Sequence, residues 1–293
     1  MEQARDWTSL GQYLDSFLVN SSEISRVECC GSSRWLYCTE CFRLLLPTTD
    51  LPPSLCRGTF QLPFDLDVLL YDRRKSSTGI HALVVDKLRQ EDPRDNVSTR
   101  VSLIDIDRDD PIPDYVDQEN VYLLFPSNDS VPVSSVASEI SKLVVLDVKW
   151  TRTSLRLHPS VAALKTVHLS SPPPESYYWR WHNAGKGMLS TIEAVYVAAS
   201  EVNIDADYLP LLWLFGLQRA MIAAKEQEHG RAAPFTDRAK EAQRQLRIGS
   251  GSSGTKEKQP TNTAAKTSSK PNSAKGRGPR KPRWFTQLPS HDM

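Results

Sequence analysis

Long apolar runs are missing from this chain. No stretch approaches the roughly 18–20 consecutive apolar residues that a membrane-spanning helix needs, which predicts no membrane partner. The opening MEQARDWTSL has no basic segment followed by an apolar one, so no secretory leader is legible. Cysteine is absent after Cys56. The five cysteines, Cys29, Cys30, Cys38, Cys41 and Cys56, all fall within one N-terminal segment. Without a leader, clustered thiols favour a metal over disulfides. Together these absences predict a soluble intracellular protein.

Net charge is also nearly absent, at +1, but the balance is uneven. Residues 249–293 hold nine basic and two acidic side chains, leaving 27 basic and 33 acidic in the remainder. A mildly acidic body therefore carries a basic tail. The tail is low in complexity and almost free of apolar residues, so it reads as disordered. Its RGPRKPRWF (277–285) suits non-specific RNA contact, a nuclear-import patch or a plain spacer. That places the protein in the nucleus, with the cytoplasm as the alternative.

At 293 residues the chain has room for one large domain or two modest ones. Residues 1–25 predict an N-terminal helix, with Trp7, Leu10, Tyr13, Leu14 and Phe17 spaced by three and four. A cysteine-rich segment covers 26–60. A main domain covers 61–230, and the tail 249–293. Asp67–Tyr71, Val121–Phe125 and Leu143–Asp147 read as buried strands, each short and rich in Val and Leu. Val101–Ile106 reads as a further short strand. Ser134–Lys142, read with the following Leu143, carries Val136, Ile140 and Leu143 near helical spacing, which makes a strand–helix–strand unit and a parallel α/β sheet. Ser190-x-x-Glu193 is a capping box opening a helix to about Ser200. A second helix is expected from about Tyr208 to Gln227, stopped by Gly230.

Cys38-x-x-Cys41 is half of a tetrahedral thiolate site, and Cys29 and Cys30 can supply the other half, with Cys56 as an alternative. Four thiolates leave no open coordination place, so a zinc ion here would be structural. Reduced, buried thiols are the competing reading.

Seven segments in order, CGSSRWLYCTEC (30–41), LPFDLDVLLY (62–71), STGIHALVV (77–85), VYLLFPS (121–127), LVVLDVKW (143–150), YYWRWH (177–182) and LSTIEAVY (189–196), resemble the DTW-domain family. The resemblance is closest to the eukaryotic tRNA-uridine aminocarboxypropyltransferases. It implies a SPOUT-like α/β fold, a parallel sheet with helices on both faces, preceded by a cysteine-rich zinc segment. It also implies S-adenosylmethionine as cofactor and tRNA as partner. The implied reaction moves the 3-amino-3-carboxypropyl group onto N3 of a D-loop uridine. A SPOUT-type RNA methyltransferase and a non-catalytic RNA-binding member are the alternatives. Three places depart from the pattern. Lys149 stands where D-x-T-W has Thr, Tyr71-Asp72-Arg73-Arg74 replaces H-P-x-E, and Val27 takes the first place of a C-x-x-C.

That chemistry needs the N3 proton removed and the cofactor's amino and carboxylate groups held. Asp147, at a strand end, suits a general base or a partner for the ammonium, and a simple cap is the bland reading. Trp150 offers a face for the sulfonium or packs in the core. Lys149 fits either an anion or plain solvent. Ser77 and Thr78, with Lys75, Ser76 and Gly79, form a polar loop suited to the cofactor, as does the strand-end turn Phe125-Pro126-Ser127. Leu189, Ser190 and Thr191 lie at a helix N-terminus, where an anion is favoured. Arg180, His182 and Lys186, interleaved with tryptophans, suit a splayed RNA base and its phosphates, or a solvated loop.

Overall fold

Nearly continuous runs of buried side chains set the central layer. In the computed structural model, which describes residues 7–17, 24–47, 51–56, 60–90, 99–149, 155–179 and 188–230, six strands form one parallel sheet. They are β3 (Asp65–Leu70), β4 (Val101–Asp105), β5 (Val121–Leu124), β6 (Val131–Pro132), β7 (Lys142–Asp147) and β8 (Lys165–His168), in the order β4-β3-β7-β5-β8-β6. A separate hairpin pairs β1 (Val27–Cys29) with β2 (Ser32–Arg34). Successive strand residues point to opposite faces. Leu66, Val68, Leu143, Val145 and Tyr122 enter one core, while Leu69, Val144, Leu123 and Val121 enter another.

The two faces are covered unequally. The first core takes α1 (Trp7–Ser16), α2 (Pro53–Cys56), α3 (Ile80–Gln90), α5 (Thr191–Val202) and α6 (Trp213–Glu228). The cysteine segment joins the same core through Leu36, Tyr37, Leu44 and Phe60. The second core is closed by the one-turn α4 (Pro159–Ala162) and irregular chain carrying Tyr115, Leu155 and Leu164. With both faces covered, a fully parallel sheet is the expected arrangement.

The three apolar runs are β3, β5 and β7, each within two residues of its predicted bounds, and Val101–Ile106 is β4. The expected helix over Ser134–Lys142 is instead a short 3-10 turn, Val133–Val136, followed by turns into β7. Val136 and Ile140 do both pack on the first core, and the Ile140 N–H bonds Val136 O at 3.2 Å, but Leu143 already belongs to β7, so the spacing yields one turn and no helix. The helix at 190 is α5 with Ser190 as its N-cap. The predicted 208–227 helix begins as a 3-10 turn, Leu209–Leu212, and continues as α6. Gly230, at φ +67°, follows its end in the left-handed region that glycine adopts freely. The basic tail lies outside the described residues.

Candidate functional site

All six strands run the same way, so their carboxyl ends share one edge of the sheet. There β7 ends in Asp147, flanked by the Ser77–Gly79 loop that follows β3 and by the start of α5. Asp147 Oδ2 accepts from Ser77 Oγ at 2.5 Å and from the Gly79 N–H at 3.1 Å. The Thr191 hydroxyl is a further partner of the same carboxylate. Ser77 Oγ in turn accepts from the Ile80 N–H at 3.3 Å, and Thr78 Oγ1 from the Ile192 N–H at 3.3 Å. The orphan N–H groups at two helix starts, α3 and α5, are thus satisfied by residues gathered around one carboxylate.

Gly79 is needed for this approach. A Cβ there would meet Val68 Cγ1 at 2.8 Å and Asp147 Oδ2 at 2.9 Å. Burial pushes the Asp147 carboxyl above the usual carboxylate range, and the bonds from Ser77, Gly79 and Thr191 oppose that rise. The cap role is therefore realised in the fold, and the residue stays 8% exposed.

Glu193 anchors the segment that leads into this site. Its carboxylate accepts from Tyr177 N and Ser176 Oγ, both at 2.6 Å, and from Ser190 N at 2.9 Å and Ser190 Oγ at 2.6 Å. Burial pushes its pKa up against those bonds. The capping-box glutamate thus also fixes the chain at 176–177, a role that its spacing alone did not reveal.

The remaining predicted residues divide. Ser77, Thr78, Asp147 and Thr191 come together, with Ser190 beside them and its hydroxyl committed to Glu193. Leu189 is half-buried just before the α5 N-cap. Phe125 is buried and Pro126 exposed at the end of β5. Ser127 Oγ bonds Thr166 Oγ1 at 2.7 Å, on the β8 side of β5 and not the β7 side. It lines a different cavity of about 410 Å³. Trp150, Arg180, His182 and Lys186 lie outside the described residues. Trp179, from the aromatic run before them, is buried against Phe215 (centroids 5.3 Å apart) and belongs to the core. His81 is packed as well, bonded to Tyr37 and Gln218.

The cysteine cluster is compact. The sulfurs of Cys29, Cys30, Cys38 and Cys41 all lie within 4.8 Å of one another, and Cys29 is 3.6 Å from Cys41 and 3.9 Å from Cys30. A tetrahedral ion with metal–sulfur bonds of about 2.3 Å requires sulfurs about 3.8 Å apart. Adjacent Cys29 and Cys30 both take part because the hairpin turn puts Cys30 at φ +48° and Gly31 at φ +71°. Burial works against the Cys38 thiolate. Backbone N–H groups of Cys41 and Glu40, together with the thiols of Cys41 and Cys29, outweigh it and lower the thiol to about 7. These four residues can hold a metal ion. The side chain of Cys56 lies outside the described part.

No curated protein and no solved structure matches the chain. The family model of the DTW domain matches residues 36–223, more than half of the 293 residues, and takes in Cys38, Cys41, the Ser77–Gly79 loop, Asp147 and the α5 cap. The chain therefore belongs to the DTW-domain family, which is associated with tRNA-modifying enzymes.

Proposed function

We propose that this protein is a tRNA-uridine aminocarboxypropyltransferase that takes its 3-amino-3-carboxypropyl group from S-adenosylmethionine and places it on N3 of a D-loop uridine. The observation that carries the reading is the meeting of the Ser77–Gly79 loop, Asp147 and the α5 N-terminus at the carboxyl edge of a parallel sheet, where α/β proteins bind ligands. S-adenosylmethionine would supply an electrophilic propyl carbon activated by its sulfonium. Ser77, Thr78 and Thr191 shape the polar wall of the cofactor site. Phe125, Pro126 and Leu189 border it, and Trp150 gives it an aromatic face. Asp147 holds the two helix starts in register, and its raised pKa suits removal of the uracil N3 proton. Arg180, His182 and Lys186 contact the RNA. Zinc is the ion we assign to the four cysteines, in a structural role, because an all-thiolate set leaves it no open place.

A non-catalytic RNA-binding member is the second reading. It is favoured by the Asp147 oxygen that already receives Ser77 and Gly79. Incubating the purified protein with unmodified tRNA and S-adenosylmethionine separates the two. The first reading expects aminocarboxypropyl-uridine by nucleoside mass spectrometry, with methylthioadenosine as by-product. S-adenosylhomocysteine instead would indicate methyl transfer, and tRNA binding without either product would leave the non-catalytic reading. The basic tail is assigned to nuclear import, which deletion of 277–285 from a fluorescent fusion would test.

A further inference from the structure

A charged cleft of about 360 Å³ lies between the cysteine segment and the loop after β3, lined also by the end of β4. Its ion pairs are unevenly shared. Arg74 bonds Asp105 at 2.7 Å and lies 3.5 Å from Glu40, while Arg108 reaches Glu40 at 2.8 Å and Asp105 at 3.4 Å. Two cations and two carboxylates therefore neutralise one another and brace the cysteine segment, since Glu40 lies between Cys38 and Cys41. Asp72 is taken by Lys149 at 2.9 Å.

What remains on the cleft is Arg34, Arg73 and Lys75 against the exposed Asp107. Among the described residues no carboxylate pairs with these three cations, and Arg34 Nε is buried without a hydrogen-bond partner. Arg73 and Lys75 are exposed, and they sit two to four residues before Ser77, on the loop that leads to the Asp147 site.

We propose that this cleft seats the sugar-phosphate backbone of the substrate RNA, with Arg34, Arg73 and Lys75 as its phosphate-binding cations. The inference rests on the tRNA reading above and names a surface for it. Three cations drawn from two chain segments along an open groove suit successive phosphates rather than one small anion. Arg34, half-buried, supplies the preformed fork, and the two exposed side chains supply adjustable charge.

The test is tRNA binding by the full chain, followed by fluorescence anisotropy across a salt series. Lys75→Glu should raise Kd about fivefold near 0.1 M salt and flatten the log–log salt slope by about 1. Arg73→Glu should do the same. Lys165→Glu makes the same charge change at the first residue of β8, on the opposite edge of the sheet. It should stay within about twofold of wild type, with its slope unchanged. Asp107→Asn should tighten binding about twofold, a gain that misfolding cannot produce. If Lys75→Glu and Arg73→Glu bind like wild type, or no worse than Lys165→Glu, the proposal is overturned. Should that happen in a protein that still modifies tRNA, the functional reading survives and only the cleft is lost. A wild-type protein that binds no tRNA takes both down.

Discussion

Lys149 Nζ lies 2.9 Å from Asp72 Oδ1, an ion pair that joins the end of β7 to the loop after β3. Both residues stand where the chain departs from the family pattern, Lys149 in D-x-T-W and Asp72 in H-P-x-E. One departure answers the other, because a threonine at 149 has no charge to offer Asp72. The lysine side chain is 57% exposed, so solvent screens the pair and its worth falls near 0.2–1 kcal/mol, with ~0.5 a fair centre. Lys149→Thr should lower stability by less than about 1 kcal/mol, and the swap Asp72→Lys with Lys149→Asp should recover most of the loss. A double-mutant cycle by urea unfolding measures this. A coupling energy of zero would remove the claim that the two departures compensate.

Asp147 holds loops together and is also the proposed base, and two substitutions separate these roles. Asparagine keeps an oxygen that can accept from Ser77 and Gly79 but cannot take a proton at working pH. Alanine removes the acceptor and leaves the buried Gly79 N–H unpaired, at about 1–3 kcal/mol. Asp147→Ala should therefore unfold more readily and be inactive. Asp147→Asn should melt close to wild type yet lose about 100-fold in rate, and wild-type activity should rise with pH through a carboxyl pKa above the ordinary range. An Asn variant that keeps more than about a tenth of the rate would make Asp147 a positioning residue only.

The parts of this fold that were legible in the sequence are those with one dominant environment. β3, β5 and β7 are covered on both faces, so their apolar runs stand out. The α5 start was legible because Ser190 and Glu193 carry cap chemistry at fixed spacing. Helix α3 was not legible. Ile80 to Asp86 and Arg89 are all buried, so the helix shows no polar stripe and its sequence mimics a strand. Strand β8 was missed because only Val167 of its four residues is buried. The candidate site shares this limit, since nothing local tells that Thr78 caps a helix more than a hundred residues away.

Gly79→Ala tests how tightly the site is closed. Its new methyl would press on Val68 Cγ1 and Asp147 Oδ2, both under 3.0 Å away and both belonging to strands of the central sheet. Overpacking of this kind costs about 1–3 kcal/mol. The variant should lose that much in urea unfolding and should bind S-adenosylmethionine more weakly by calorimetry. Unchanged stability would mean that the loop has slack which the structure does not show.

Cys30 offers a test of the metal that ordinary ligand removal lacks. At φ +48° a non-glycine residue is strained by about 1 kcal/mol, and glycine would relieve it. If the thiols are merely reduced and packed, Cys30→Gly should therefore stabilise the hairpin slightly. If they hold zinc, the same change should lower bound zinc below one per chain and destabilise the protein, as Cys38→Ser should. Elemental analysis with thermal melting distinguishes the two, and a more stable Cys30→Gly protein would end the zinc assignment.

His81 ties three elements together, and its titration should be visible in stability. Its Nε2 lies 2.9 Å from Gln218 Oε1 on α6 and 3.0 Å from the Tyr37 hydroxyl in the cysteine segment. Burial pushes its pKa from the ordinary 6.5 down to about 4, against the Gln218 bond. The unfolded chain thus binds a proton that the folded one excludes. The stability this provides is complete above pH 6.5 and is lost as pH falls toward 4, a change of about 3 kcal/mol for the full drop. The raised carboxyls of Asp147 and Glu193 act oppositely, losing stability as pH rises through the range above ordinary carboxylates. Comparison with a variant isolates the histidine. Urea midpoints for wild type and His81→Gln, taken from pH 7 to 4.5, should converge as the pH drops, because only wild type loses the histidine share. Parallel curves would assign that loss of stability to other groups.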